Sequence, residues 1–168
     1  MKNLTLLSLL AALSIFLWGC PYKSSVPLST PSEYVNKQVF GKWIPKSQES
    51  KANPEYYLIA MKDTFNYSVE HFQYNETDSA YEVKSYTSWT TRIENIMFMN
   101  VQQEGQKEVT LYRLDVMGDE LMVLYEVTNN IDERFQDSEK MKAFFKKHMK
   151  LSFFYNGEEV ELIKVRKP

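Results

Sequence analysis

The chain has 168 residues, and its 20 basic and 22 acidic side chains give a formal net charge of −2 at pH 7. So mild a balance argues against a nucleic-acid-binding surface and against a polybasic membrane-binding patch. The length fits one compact domain with a single core, and the single cysteine excludes a disulfide within the chain.

The N-terminus carries a short apolar run. Lys2 is followed by nearly unbroken apolar residues from Leu4 to Trp18. As a helix this run spans about 22 Å at about 1.5 Å per residue, which is short of a hydrocarbon core of about 30 Å. Pro21 disfavours continuation of that helix. A basic start, a short apolar core and a small residue, Gly19, are typical of a secretory signal peptide, which we place at residues 1–19.

The end of this run, Leu17-Trp18-Gly19-Cys20, resembles the lipoprotein signal of bacteria. The resemblance implies that the peptide is cut before Cys20 and that the Cys20 sulfur receives a lipid, with acyl chains such as palmitate. Several chains on one cysteine would give the stable anchoring that one chain does not. We therefore expect a protein attached to a membrane of the bacterial cell envelope, the outer membrane in preference to the inner one, with its domain outside the cytoplasm. The alternative is an ordinary signal peptide or membrane anchor with an incidental cysteine.

The residues after Cys20 show no apolar periodicity. They include Pro21, Pro27 and Pro31 among several serines and threonines. Such a composition predicts an extended, flexible linker. We assign residues 20–35 to the lipidated cysteine and this linker, and residues 36–168 to the folded domain.

The domain is patterned mostly with period two, which is typical of half-buried strands. In one segment Tyr81, Val83, Trp89 and Ile93 share a parity, and in another Leu121, Val123, Tyr125 and Val127 do. Turn-forming residues separate the segments. The predicted strands are 39–45, 55–62, 65–74, 80–93, 96–103, 108–117, 120–128 and 159–166.

One segment has the period of a helix instead. After Asp137 or Ser138 as the N-cap, apolar residues recur at helical spacing from Met141 to Met149. The sequence therefore predicts a mainly β protein with one amphipathic helix before the last strand. Short gaps between strands favour an up-and-down antiparallel order, and closure of eight strands into a barrel would remove the exposed edges. A β-sandwich and an open α+β sheet are the alternatives.

The first strand opens with Gly41-Lys42-Trp43, which resembles the Gly-x-Trp signature of lipocalins and the wider calycin group. The resemblance implies a lipocalin-like barrel in which Gly41 and Trp43 close one end. It also implies that a late basic residue, Lys164 or Arg166, packs over the tryptophan in a cation–π contact. The helix before the last strand fits the lipocalin order as well.

The sequence holds no recognisable catalytic constellation. No serine has the setting of a nucleophile elbow, and there is no phosphate-binding loop and no paired His/Cys spacing for a metal. We therefore expect neither an enzyme nor a cofactor or metal, and an enzyme is the last of three hypotheses.

Aromatic residues are frequent on the predicted strands, where an apolar body and a polar tip suit the wall of a pocket. The first hypothesis is a module that binds a small apolar or amphipathic ligand, such as a lipid. The second is an envelope interaction or inhibitor protein with a filled barrel, which binds a protein partner through its surface loops. The candidate ligand-binding residues are Tyr57, Phe65, Tyr67, His71, Trp89, Tyr112 and Tyr125.

Overall fold

The computed structural model describes residues 22–131 and 133–165, except for the side chain of Glu158. The predicted signal peptide, Cys20 and Arg166 lie outside these residues. The described chain forms one α-helix, α1, at Ser138–His148, and nine strands: β1 Lys23–Ser24, β2 Gly41–Pro45, β3 Tyr56–Met61, β4 Tyr67–Asn75, β5 Ala80–Ile93, β6 Ile96–Gln103, β7 Val109–Met117, β8 Leu121–Val127 and β9 Tyr155–Lys164.

Strands β2 to β9 form a closed antiparallel barrel of eight strands. Each pairs with the next along the chain, and β9 returns to pair with β2, where Trp43 lies opposite Lys164. The predicted fold class is therefore confirmed: a mainly β protein with an eight-stranded up-and-down barrel and a helix before the last strand. The barrel is compatible with a lipocalin-like one.

Helix α1 begins at the expected place. The Asp137 side chain accepts a hydrogen bond from the Lys140 amide at 2.8 Å, which caps the first turn. Met141 and Phe145 on its apolar face are buried against the outside of the barrel. Lys146 and Lys150, near its end, form salt bridges of 3.6 and 3.0 Å with Glu94 in the turn between β5 and β6. These salt bridges attach the C-terminal end of the helix to the barrel.

The barrel wall separates two clusters of buried apolar side chains. Inside the barrel are Val39, Trp43, Ile59, Tyr67, Val69, Met99, Leu114, Met122 and Leu162. Outside it, under α1, are Tyr22, Leu28, Trp89, Ile93, Phe98, Val109, Leu111, Val127, Ile131, Met141, Phe145, Met149 and Phe154. Successive residues of β5, β6 and β7 alternate between the two clusters, as strand geometry requires.

Residues 22–35 differ from the flexible linker that their composition predicts. Leu28 is fully buried, and its amide donates to the Asn100 side chain at 2.9 Å. The Ser29 carbonyl accepts from the Trp89 indole at 2.7 Å. β1 adds a short antiparallel pairing to the start of β7. The segment lacks periodicity because isolated side chains and side-chain hydrogen bonds hold it, rather than a regular helix or strand face.

Candidate ligand-binding site

The barrel encloses a cavity of about 650 Å³. Its deep part is apolar, and its mouth is formed where the exposed residues Gln106 and Glu108 precede β7. Tyrosines and polar side chains line the section between the two. The apolar residues of the deep part are Ile59, Val69, Met99, Val101, Met122, Leu124 and Leu162.

The end opposite the mouth is closed around Trp43. The Trp43 indole donates to the Val39 carbonyl at 2.8 Å, which fixes the ring under the short 3₁₀ turn Lys37–Val39. The Lys164 ammonium lies 5.0 Å from the centre of the Trp43 ring and donates to the Gln38 carbonyl at 2.8 Å. Lys164 therefore occupies the position over the tryptophan that the sequence assigned to Lys164 or Arg166.

Gly41 makes this close approach possible. Its φ is +133°, and a Cβ at this position would lie 2.9 Å from Cε of Lys164. A larger residue would be strained and would collide with the lysine that covers Trp43.

One wall of the cavity carries a cluster of three polar side chains on β3, β4 and the loop before β3. The Glu55 Oε1 atom accepts from the Tyr57 hydroxyl at 2.9 Å and lies 2.7 Å from His71 Nε2. The Tyr57 and His71 rings stack with centres 4.5 Å apart. Burial, and then the neighbouring Glu55 carboxylate, raise the pKa of Tyr57 well above its ordinary value. The Tyr57 hydroxyl is therefore a hydrogen-bond donor throughout the physiological range.

A second polar cluster lies on β7, β8 and β9. Tyr112 and Glu126 are directly opposite each other across the strands, and the Asn156 amide donates to Glu126 Oε1. Burial raises the pKa of Glu126 above its ordinary value, although hydrogen bonds from Asn156 and Tyr112 partly offset it. Burial and the Glu126 carboxylate likewise raise the pKa of Tyr112. A carboxylate is thus held in a poorly solvated place on the cavity wall.

Of the seven candidate ligand-binding residues, Tyr57, His71 and Tyr112 line this cavity. Tyr67 lies deeper inside the barrel. Its hydroxyl accepts from the Asn36 amide at 2.7 Å, and it lines a second hollow of about 480 Å³ at the closed end. The structure therefore brings three of the seven together at one site and places a fourth beyond the floor of that site.

The other three candidates are on the outside of the barrel. Phe65 lies in the turn before β4 and packs against Tyr34, with ring centres 5.4 Å apart. Trp89 is buried, but in the outer cluster, where residues 22–35 cover it. Tyr125 faces outward under the Arg113 guanidinium, which lies 4.9 Å from its ring centre. For Trp89 and Tyr125 the physical reason is parity: the inward residues of β5 are Tyr86 and its even-numbered neighbours, and those of β8 are Met122, Leu124 and Glu126. Phe65 has the parity of the inward residues of β4 but lies before that strand begins.

Among the residues of the site that the sequence-based prediction missed are Tyr86, Glu126 and Glu55. Tyr86 lines the cavity on the face of β5 opposite Trp89. Glu126 carried a usable signal, since it continues the inward apolar pair Met122 and Leu124 at period two. Glu55 carried none, because its partner His71 is 16 residues away and only the pairing of β3 with β4 brings them together.

The start of the described chain also reaches the mouth. Tyr22 is buried and donates through its amide to the Val127 carbonyl at 3.0 Å. Lys23, which follows it in β1, lines the mouth of the cavity and is exposed there. The N-terminal segment therefore forms part of the rim.

The barrel with its cavity is compatible with ligand binding. Within residues 22–131 and 133–165, no group of histidine, cysteine, aspartate and glutamate side chains could hold a metal ion. No helix in this part of the chain has the length and apolar character needed to cross a membrane. Comparison of the chain with protein-family models, curated proteins and solved structures found no match. A function for this protein is therefore inferred from the geometry of the site.

Proposed function

We propose that this protein is a lipid-anchored lipoprotein of the bacterial cell envelope that binds a small apolar or amphipathic, lipid-like ligand in its barrel. In this proposal it is a binding protein and not an enzyme, Cys20 holds it to a membrane, the outer one in preference, and the domain lies outside the cytoplasm. The observation that carries the proposal is the cavity of about 650 Å³ inside the barrel. The alternative, an interaction or inhibitor protein that uses surface loops, rests on a filled barrel, so the cavity favours the ligand-binding function.

The size and polarity of the cavity support an amphipathic ligand. Ligand pockets typically have volumes of about 300–1,000 Å³ and apolar walls with a few polar groups, and this cavity falls within that range. Its deep part offers Val69, Met99 and Met122 to a hydrocarbon chain. Each buried CH₂ group would contribute about 0.8 kcal/mol. The polar residues stand nearer the mouth, where the polar end of such a ligand would remain.

The path of the N-terminal segment supports a role for the proposed anchor. Two peptide steps connect Cys20 to Tyr22, and they span at most about 7 Å when fully extended. Tyr22 is fixed beside Val127 and is followed by Lys23 on the rim of the cavity. A lipid on Cys20 would therefore hold the mouth of the barrel close to the membrane surface, where a lipid-like ligand could exchange.

The cavity is tested by filling it. Val101 lines the cavity and is half-buried, whereas Val83 on β5 is 48% exposed and lies outside it. We expect Val101→Trp to abolish the fluorescence rise of the neutral probe N-phenyl-1-naphthylamine and to remove any lipophile seen by native mass spectrometry. Val83→Trp is the matched control and should change neither. Equal probe binding by both variants and by the wild type would show that the cavity holds no ligand.

The anchor is tested separately with Cys20→Ser. We expect cells fed a clickable fatty acid to label the wild-type protein and not the variant, because the serine hydroxyl does not replace the thiol in lipid transfer. The variant should leave the membrane fraction or remain as uncut precursor. Equal labelling of the two proteins would disprove lipidation at Cys20 and would leave the ligand-binding proposal standing.

A further inference from the structure

Three tyrosines from alternate strands of the barrel line the same cavity. Tyr57, Tyr86 and Tyr112 come from β3, β5 and β7, and all three line the cavity. Tyr57 lies near enough to Tyr86 and Tyr112, and Tyr112 near enough to Tyr86, for an electrostatic interaction between their hydroxyls. The face of a tyrosine ring attracts a cation, and several rings around one position form an aromatic cage of the kind that recognises ammonium groups.

Several side-chain groups of the cavity wall contact carboxylates of the protein itself. The Tyr57 hydroxyl and His71 Nε2 both contact Glu55 Oε1, at 2.9 and 2.7 Å. The Asn156 amide donates to Glu126. These are the groups that would otherwise bind an anionic headgroup such as a carboxylate or a phosphate. Since protein carboxylates already occupy them, an anionic ligand would have to displace an internal partner.

Among the charged side chains that line the cavity, acidic ones outnumber basic ones. Glu108 and Glu126 line the cavity, and Glu55 lies directly behind Tyr57. Lys23 is the only lysine or arginine among the cavity-lining residues of the described chain, and it lies exposed on the rim. In residues 22–131 and 133–165, no lysine or arginine is within salt-bridge distance of Glu55 or Glu126. Glu126 is therefore a partly desolvated carboxylate without a cationic partner in the described protein.

From this geometry we infer the chemical class of the ligand: a single-chain amphiphile with a cationic ammonium headgroup. The headgroup would lie among the rings of Tyr57, Tyr86 and Tyr112 and beside the carboxylate of Glu126, and the hydrocarbon chain would extend into the apolar depth. The inference rests on the proposed ligand-binding function and makes it specific. At this position an anionic amphiphile such as a fatty acid would meet the carboxylate of Glu126 instead of a counter-charge.

The test uses probes that share one tail and differ in charge. Dodecyltrimethylammonium, dodecyl maltoside and dodecanoate are titrated below their micelle concentrations into the full chain carrying Cys20→Ser, so that no attached lipid competes, and the Kd is measured by isothermal titration calorimetry. We expect the cationic probe to bind about tenfold or more tightly than dodecanoate, since a desolvated cation–π contact and the attraction between opposite charges at low dielectric each contribute on this scale. The neutral probe should fall between them.

Matched variants test which residues cause the preference for the cationic probe. Glu126→Gln removes the charge in the cavity, and Glu70→Gln removes an exposed carboxylate from the outward face of β4. We expect Glu126→Gln to weaken binding of the cationic probe about tenfold and to leave dodecyl maltoside nearly unchanged, whereas Glu70→Gln should affect neither. Tyr86→Leu removes one ring of the cage and should show the same selective loss, so the inference stays testable if Glu126→Gln does not fold.

The possible failures can be told apart. If dodecanoate binds as tightly as the cationic probe or more tightly, the inference is overturned while the proposed function stands. Equal losses for the cationic and neutral probes in both Glu126→Gln and Tyr86→Leu would also overturn it. If none of the three probes binds, the proposed ligand-binding function itself fails.

Discussion

Strands β5, β6 and β7 bury side chains on both faces, but the two faces differ in how they are filled. On the outside, Phe98 and Phe154 pack edge-on against Phe145 of α1, with ring centres 5.3 and 4.9 Å away. On the inside, Met99 and Val101 border a cavity of about 650 Å³. The outer face of these strands is therefore closely packed, whereas their inner face borders the cavity.

The polar groups follow the same division. Outside, the buried Asn100 side chain accepts from the Leu28 amide and donates to the Trp89 carbonyl and the Thr91 hydroxyl. Inside, Ser88 has no partner among the described residues, and burial raises the pKa of Glu126. A complete network stabilises one packed arrangement, and the outer face has such a network where the inner face has a partly desolvated carboxylate.

The largest effect should come from the close-packed side. Phe145→Ala removes a fully buried ring from the outer cluster and should lower the free energy of unfolding by about 3–5 kcal/mol. Met99→Ala, on the cavity side of β6, should cost about 2 kcal/mol, near the lower limit for such a change, because the site already borders open space. Urea denaturation of both variants measures the difference. Equal losses would show that the two faces are equally packed.

The next largest loss of stability should come from residues 22–35, which cover the outer face of the barrel. Leu28→Ala truncates a fully buried side chain in residues 22–35 and should cost about 2–3 kcal/mol in the same assay. Tyr34→Ala is the control from the same segment, because Tyr34 is 77% exposed, and it should cost less than about 1 kcal/mol. A flexible linker would make both variants indistinguishable from the wild type, which would contradict the packing described above.

The strands and the helix could be predicted because local pattern determines them. The period-two segments, the turn residues between them and the Asp137 cap each act over a few residues, and the predicted ranges 80–93 and 96–103 are those of β5 and β6. The packing of residues 22–35 could not be predicted in this way. It depends on contacts such as that of the Leu28 amide with Asn100, 72 residues away.

The site was predicted only in part for a related reason. Alternation divides a strand into two faces but does not say which face is inside when both are apolar. On β5 the large ring of Trp89 suggested that its face lines the cavity, but Trp89 lies on the outer face. The N-terminal segment and α1 bury that outer face as deeply as the barrel buries the inner one. His71 was placed well, because it shares the inward face of β4 with Tyr67 and Val69. Tyr57 lies on the inward face of β3 with Ile59. The pairing of Glu55 with His71 requires the register of β3 and β4 and has no local signal.

The smallest effect should come from the carboxylate inside the barrel. Glu126→Gln keeps an oxygen that can accept from Asn156 and removes the partly desolvated charge. Burial raises the pKa of Glu126 in the folded protein above its unfolded value, so between those two pKa values the folded state binds more protons than the unfolded state. Stability contributed by this group is therefore lost as the pH rises through that window. We expect the variant to be more stable than the wild type above the window.

The pH dependence distinguishes this cause from a general effect of removing one negative charge. The advantage of Glu126→Gln should shrink as the pH falls through the folded pKa and disappear below the unfolded one, where the wild-type carboxyl is protonated in both states. Urea denaturation of both proteins from neutral to acidic pH measures this difference, and Glu70→Gln on the outward face of β4 supplies the background effect of losing one surface charge. If the advantage of Glu126→Gln stayed constant with pH, the Glu126 carboxylate would not be the source of the cost, and the contrast between the two faces would rest on packing alone.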